Sequence, residues 1–174
     1  YKDRKTKQSA DPGLIISGGC GIIDICGKLR PEVGWGKIIW GLQNVPTLGV
    51  DPLTRTEYFQ SLSMWRNTDA VESWSWEGCE GRRTTATVYS DAAQVELLLN
   101  GKSLGKKRPK KDIVKFKKVP YEAGKLEAVA FDASGKETGR AALTSASGKT
   151  CIQLTPETTT LHANGQDLCF LKID

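Results

Sequence analysis

Residues 84–105, TTATVYSDAAQVELLLNGKSLG, leave this chain little choice of fold. Ala86 and Val88 fall on one side of the first run, and Thr85, Thr87 and Tyr89 on the other. Val95, Leu97 and Leu99 then alternate with Glu96 and Leu98. A period of two over five or six residues predicts strands, because successive side chains of a strand point to opposite faces. Asn100 and Gly101 close the second run as a type I′ hairpin, whose two central positions both need positive φ. The stretch reads as consecutive strands of a small antiparallel domain, and no residue in it suggests catalysis.

The same pattern continues downstream. Val114 and Phe116 alternate with Lys115 and Lys117, residues 119–124 make a corner, 126–131 is the next strand, 132–135 turns, and 137–144 runs back. That is six or seven short strands in about 60 residues, the spacing of an antiparallel two-sheet sandwich. Its expected inward face is Val88, Val95, Leu97, Leu99, Phe116, Leu126 and Ala128. Residues 145–149 are a small-residue linker. Residues 151–156 and 159–173 open what reads as a second β module.

Upstream the signals are mixed. Residues 1–12 form a charged lead-in without the apolar stretch of a signal peptide. Residues 14–16 are strand-like and lead into Ser17, Gly18, Gly19, Cys20 and Gly21. A dinucleotide-binding loop would run from such glycines straight into a helix. Here 22–27 is another short apolar run ending in glycine, so a turn between two strands is the expectation. Residues 31–42 form a first helix candidate, with Pro31 in the first turn and Trp35, Ile38, Ile39 and Leu42 at helical spacing. Gly34 and Gly36 weaken it by about 1 kcal/mol each relative to Ala. A second candidate starts at the capping box of Thr54 and Glu57, followed by Tyr58, Leu62 and Trp65. Between the two lies a Pro-bearing loop, 43–52.

Residues 71–81, VESWSWEGCEG, have the least ordinary local composition. On a strand, Trp74 and Trp76 would face the same side, with Glu77 and Glu80 just beyond. Paired acids beside aromatic rings are the materials of glycosidases, but retaining enzymes hold their carboxyls about 5–5.5 Å apart across a substrate. Two local neighbours in a Gly-rich turn do not predict that. The bland reading is a Trp pair packing a domain junction. The functional one makes Trp74, Trp76, Glu77 and Glu80 candidates for the wall of a sugar cleft.

Charge and cysteines narrow the classes further. Residues 102–118 carry eight Lys and one Arg against Asp112 alone, a net +8, so the remainder of this +5 chain sums to −3. The ribbon invites a nucleic-acid reading. Yet Phe116 is its only aromatic, whereas single-strand binders interleave stacking platforms. A solvated edge, where lysines discourage sheet-to-sheet pairing, explains it as well. Five scattered cysteines and the single His162 lack the spacing of a zinc site. Free thiols favour a reducing, cytoplasmic setting but leave the location open. No run approaches the roughly 20 apolar residues of a membrane span. No cofactor, metal, membrane or nucleic-acid partner is expected.

The runs VYSDAAQVELLLNGKSLG and VPYEAGKLEAVAFDASGKETGR resemble the small immunoglobulin-like domain that follows the catalytic barrel in bacterial family 2 glycoside hydrolases of the β-galactosidase type. GCGIIDICGKLRPEVGWGKIIWG and VESWSWEGCEG are similar to the end of that barrel and its exit strand, and LTPETTTLHANGQDLCFLKID to the start of the next sandwich module. The resemblance implies a mainly β chain: an immunoglobulin-like antiparallel β-sandwich preceded by a mixed segment with one or two short helices. It divides the chain into a barrel remnant (1–80), the sandwich (81–148) and a truncated second module (149–174). The family consists of retaining exo-glycosidases with two barrel glutamates, and none of Glu32, Glu57, Glu72, Glu77 or Glu80 lies in a matching motif. The catalytic residues are expected upstream, in a longer parent.

Three functions follow as expectations. The first is a non-catalytic region that braces the barrel, with Trp35, Trp40 and Trp65 packed against the sandwich. Its partners would be the rest of the parent glycosidase, the parent's carbohydrate substrate, and further copies if the parent is oligomeric. The second is a stand-alone carbohydrate-binding module, which needs exposed, coplanar Trp rings. The third is the basic ribbon as a nucleic-acid binder.

Overall fold

The computed structural model describes residues 21–23, 27, 29–54, 68–149 and 151–173. The first helix candidate forms as α1, Glu32–Ile39. It ends in a Schellman turn: Gly41 takes a φ of 66°, its N–H donates to Ile38 O, and the Leu42 N–H donates to Lys37 O. Leu42 therefore leaves the helical stripe expected for it and lies exposed, as do Ile39 and Trp40. The buried side of α1 is Glu32, Gly34 and Ile38 instead. The second helix candidate lies outside the described residues beyond Thr54.

Gly34 is buried because α1 lies against β1, Thr47–Val50. A Cβ on Gly34 would come within 2.0 Å of Thr47 Oγ1, and one on Gly49 within 2.6 Å of Pro31 Cγ. The two glycines are thus what lets helix and strand approach. The expected loop 43–52 consequently contains a strand, and the sandwich begins upstream of residue 81.

Six further strands complete the sandwich: β2 Arg83–Tyr89, β3 Gln94–Leu99, β4 Lys102–Lys107, β5 Ile113–Pro120, β6 Lys125–Phe131 and β7 Glu137–Thr144. They pair antiparallel in a three-stranded sheet, β1-β2-β5, and a four-stranded sheet, β4-β3-β6-β7. The chain is mainly β and the sandwich immunoglobulin-like, as expected. Asn100 and Gly101, with φ of 50° and 79°, form the two-residue loop that sets Leu99 opposite Lys102. Val88, Val95, Leu97, Leu99, Phe116, Leu126 and Ala128 are all buried between the sheets.

Tyr89, on the other face of β2, is buried too, with Trp35 of α1 stacked on it at 6.4 Å between ring centroids. Burial, with the Glu32 and Asp51 carboxylates nearby, pushes its phenol well above the usual range. Beyond the sandwich, β8 (Leu154–Pro156) and β9 (Leu171–Ile173) form a separate antiparallel hairpin whose strand residues are all exposed.

Candidate functional site

Trp74 and Trp76 belong to the core. The stretch that holds them is not a strand, and the rings meet edge to face at 5.7 Å and 84° rather than lying coplanar. Tyr121 completes the cluster, edge-on to Trp74 at 5.0 Å and to Trp76 at 5.7 Å. At 0% and 7% exposure the two indoles offer no face on which a sugar from solvent could stack.

Polar contacts then fasten this segment to the end of the sandwich. The Trp74 Nε1–H donates to Glu122 O at 3.0 Å, and the Trp76 N–H donates to the Tyr121 hydroxyl at 2.9 Å. The Ser145 hydroxyl donates to Trp74 O, and the Ala146 N–H donates to Ser75 Oγ at 2.7 Å. Each joins residues distant in sequence, so the segment acts as a strut between β5–β6 and the end of β7. Tyr121 and Ser145 are the residues the sequence reading missed, one taken as part of a corner and the other as linker. The signal in the sequence was weak: an aromatic directly after Pro120 at the end of a strand, whose hydroxyl reaches a backbone 45 residues away.

Glu77 and Glu80 project from the turn at the end of the strut, where Gly78 and Gly81 take φ of 73° and 77°. Both are exposed, and neither forms an ion pair with any described residue. The turn brings them near the Trp pair in sequence, but on the solvent side of it. The arrangement can offer two carboxylates to hydroxyl groups. It does not enclose a reacting bond.

The basic ribbon occupies two sheet edges, β4 of one sheet and β5 of the other. The Lys107 Nζ donates to Lys115 O at 2.9 Å and lies 4.8 Å from the Phe116 ring centroid, bridging the two edges. Lys106 pairs with Glu96 at 3.5 Å and covers the Phe131 ring at 3.9 Å. Phe116, the ribbon's aromatic, is buried and unavailable for stacking. Bulges interrupt both edges, one beside Gly105 in β4 and one at Lys117 and Lys118 in β5. Lysines and bulges on an edge are devices against pairing with another sheet.

Among the described residues, no group of His, Cys, Asp and Glu could hold a metal ion. Cys79 is buried, Cys169 half-buried and Cys151 exposed, all as free thiols; Cys20 and Cys26 lie outside the described residues. The His162 ring meets Asp167 at 3.0 Å in an exposed loop. Hydrogen bonds from Asn164 and His162 hold the Asp167 carboxyl below the usual range. No described helix is long and apolar enough to cross a membrane.

The chain is thus an immunoglobulin-like sandwich preceded by a short helix and tied to an aromatic strut, and comparison with known proteins finds relatives of it among family 2 glycoside hydrolases. Residues 81–139 match the model of a domain of unknown function (DUF4982). The β-galactosidase BoGH2A of Bacteroides ovatus is 37% identical over 87 residues, 49% of this chain and 10% of that protein. The crystal structure of a glycosyl hydrolase family 2 member from Bacteroides cellulosilyticus superposes with a TM-score of 0.68 at 32% identity, over 90% of this chain and 21% of that one. A β-glycosidase from Bacteroides vulgatus, at 23% identity and a TM-score of 0.56, shares the fold over 88% of this chain and 17% of its own. The resemblance to a region of family 2 glycoside hydrolases therefore holds over most of the chain, which spans a tenth to a fifth of those relatives.

Proposed function

We propose that this chain is the non-catalytic C-terminal region of a family 2 glycoside hydrolase of the β-galactosidase type, and that it braces the catalytic barrel of its parent. One observation carries the bracing role. Trp40 is 77% exposed at the C-terminal end of α1, and Ile39, Leu42 and Val45 are exposed in the same short stretch. An apolar group of this kind marks a surface that another domain covers. The expectation that Trp40 packs on the sandwich is corrected here: the Schellman turn directs the chain away, and Trp40 is left to a partner domain. Because α1 is seated on β1 through Gly34 and Gly49, a barrel docked there would be held at a fixed angle to the sandwich.

The turn carrying Glu77 and Glu80 is proposed as the part that reaches the sugar cleft, as acceptors for hydroxyl groups, with Trp74 and Trp76 as its rigid base. The buried, edge-to-face indoles argue against the stand-alone carbohydrate module, which needs open aromatic faces. The test is Trp40→Ser in the full-length parent. The expected result is a lower thermal unfolding temperature for the barrel with kcat unchanged. An unaltered unfolding temperature contradicts the bracing role.

A further inference from the structure

At the end of the sandwich where β2 turns into β3, a cleft of about 530 Å³ opens between three loops. It is lined by Gln94 from the start of β3, Arg108 from the β4–β5 connection, and Asp132, Ala133 and Ser134 from the β6–β7 turn. That volume falls within the roughly 300–1,000 Å³ range of small-ligand sites. The cleft is separate from the strut, the α1 surface and the Glu77/Glu80 turn.

Its chemistry is paired but uncollapsed. Asp132 Oδ1 accepts from the Ser134 N–H at 2.8 Å, the Ser134 hydroxyl at 2.6 Å and the Lys136 N–H at 3.0 Å. These bonds keep the carboxyl ionised, below the usual range, and fix its position within the turn. Arg108 lines the same cleft, yet the two form no ion pair with each other or with any other described residue. A fixed carboxylate and a guanidinium that face one space without meeting leave room for a ligand that satisfies both. Such a ligand carries a carboxylate for the planar fork of Arg108. It also carries hydroxyl donors for Asp132, with Gln94 able to give or accept.

A sugar acid unites those groups on one small ring. We propose that this cleft binds a uronate unit of an acidic saccharide, held by Arg108 through the carboxylate and by Asp132 and Gln94 through hydroxyls. The site goes beyond the bracing role and stands if that reading fails, since it concerns binding by this sandwich alone. The surrounding lysines raise the local concentration of anions but do not choose among them.

The test is a titration of the isotopically labelled chain with a methyl galacturonide, followed by amide NMR at physiological salt. Shifts are expected at Gln94, Ala133, Ser134 and Gly135, with a dissociation constant on the order of 1 mM for so few contacts. Arg108→Ala should weaken binding at least tenfold, while Lys117→Ala on the neighbouring edge leaves it unchanged. Equal binding of the neutral methyl galactoside overturns the carboxylate's role, and equal binding of acetate overturns the saccharide. Equal loss in Lys117→Ala shows general attraction to the basic ribbon and overturns the site, as does a complete absence of shifts.

Discussion

Leu97 sits mid-strand in β3, opposite Gly105 of β4 and Ala128 of β6, with its side chain wholly buried among Val88, Phe116 and Leu126. Truncation removes the transfer energy of the lost carbons and leaves a cavity that a two-sheet core closes poorly. Leu97→Ala should therefore cost about 2–5 kcal/mol by denaturant unfolding. A loss below about half a kcal/mol would place the residue on the surface, where substitutions usually do so little. On the opposite face of the same sheet, Glu127 is nearly covered and meets Lys125 at 2.8 Å and Arg140 at 3.0 Å. Their hydrogen bonds hold its carboxyl below the usual range. A carboxyl with a depressed folded-state pKa contributes stability above its unfolded value, about 4.3, and loses it as the pH falls through the folded value. Glu127→Gln should thus be less stable than the natural chain at pH 7, the difference shrinking below about pH 4. A constant difference from pH 7 to pH 2.5 would show that the charge pairing plays no part.

At the scale of the element, β5 shows how packing overrides the pattern of a sequence. Thr84 pairs with Val119 and Ala86 with Phe116, so Lys117 and Lys118 together oppose Thr85. Simple alternation from Val114 and Phe116 would send Lys118 into the core. The bulge gives Lys118 a φ of 61° instead, turns both lysines outward and returns Val119 to the interior. A non-glycine residue in that region carries roughly 1–2 kcal/mol of strain. Lys118→Gly should raise stability by about 0.5–1 kcal/mol, after the glycine's greater unfolded-state freedom is set against the relief. An unchanged or lower denaturation midpoint would mean that the lysine stem packs on the edge strongly enough to offset its strain.

The same contrast decides what was legible beforehand. β2, β3 and the Asn100–Gly101 loop were readable because alternation and turn chemistry are local. β1 was not: it is four residues long, follows Pro46 and contains Gly49, and only its ladder with β2 and its contact with Pro31 make it a strand. The buried side of α1 was hidden for a related reason. The close approach uses Gly34, an absence of side chain that no apolar periodicity reports. Trp74 and Trp76 stood out by composition, but composition could not say that they turn inward, because that depends on Tyr121 and Ser145 across the sandwich.

For the whole molecule, the basic ribbon and the proposed lack of a catalytic pair make separable predictions. Lysines spread along two bulged edges, without an exposed aromatic, should attract polyanions weakly. Any nucleic-acid binding should fall steeply with added salt and show no sequence preference. Tight binding that survives physiological salt would give the ribbon a role of its own. The central claim, a region of a glycosidase without catalytic machinery, rests on Glu77 and Glu80 lying in an open turn. Glycoside cleavage needs one carboxylic acid and one carboxylate set across an enclosed sugar, their pKa values driven apart by their surroundings. The direct measurement is release of chromophore from aryl β-galactosides by the purified chain, beside its Glu77→Gln and Glu80→Gln variants as a guard against contaminating enzyme. No turnover above the uncatalysed rate is predicted for any of the three, whereas turnover that disappears in either variant would contradict the account.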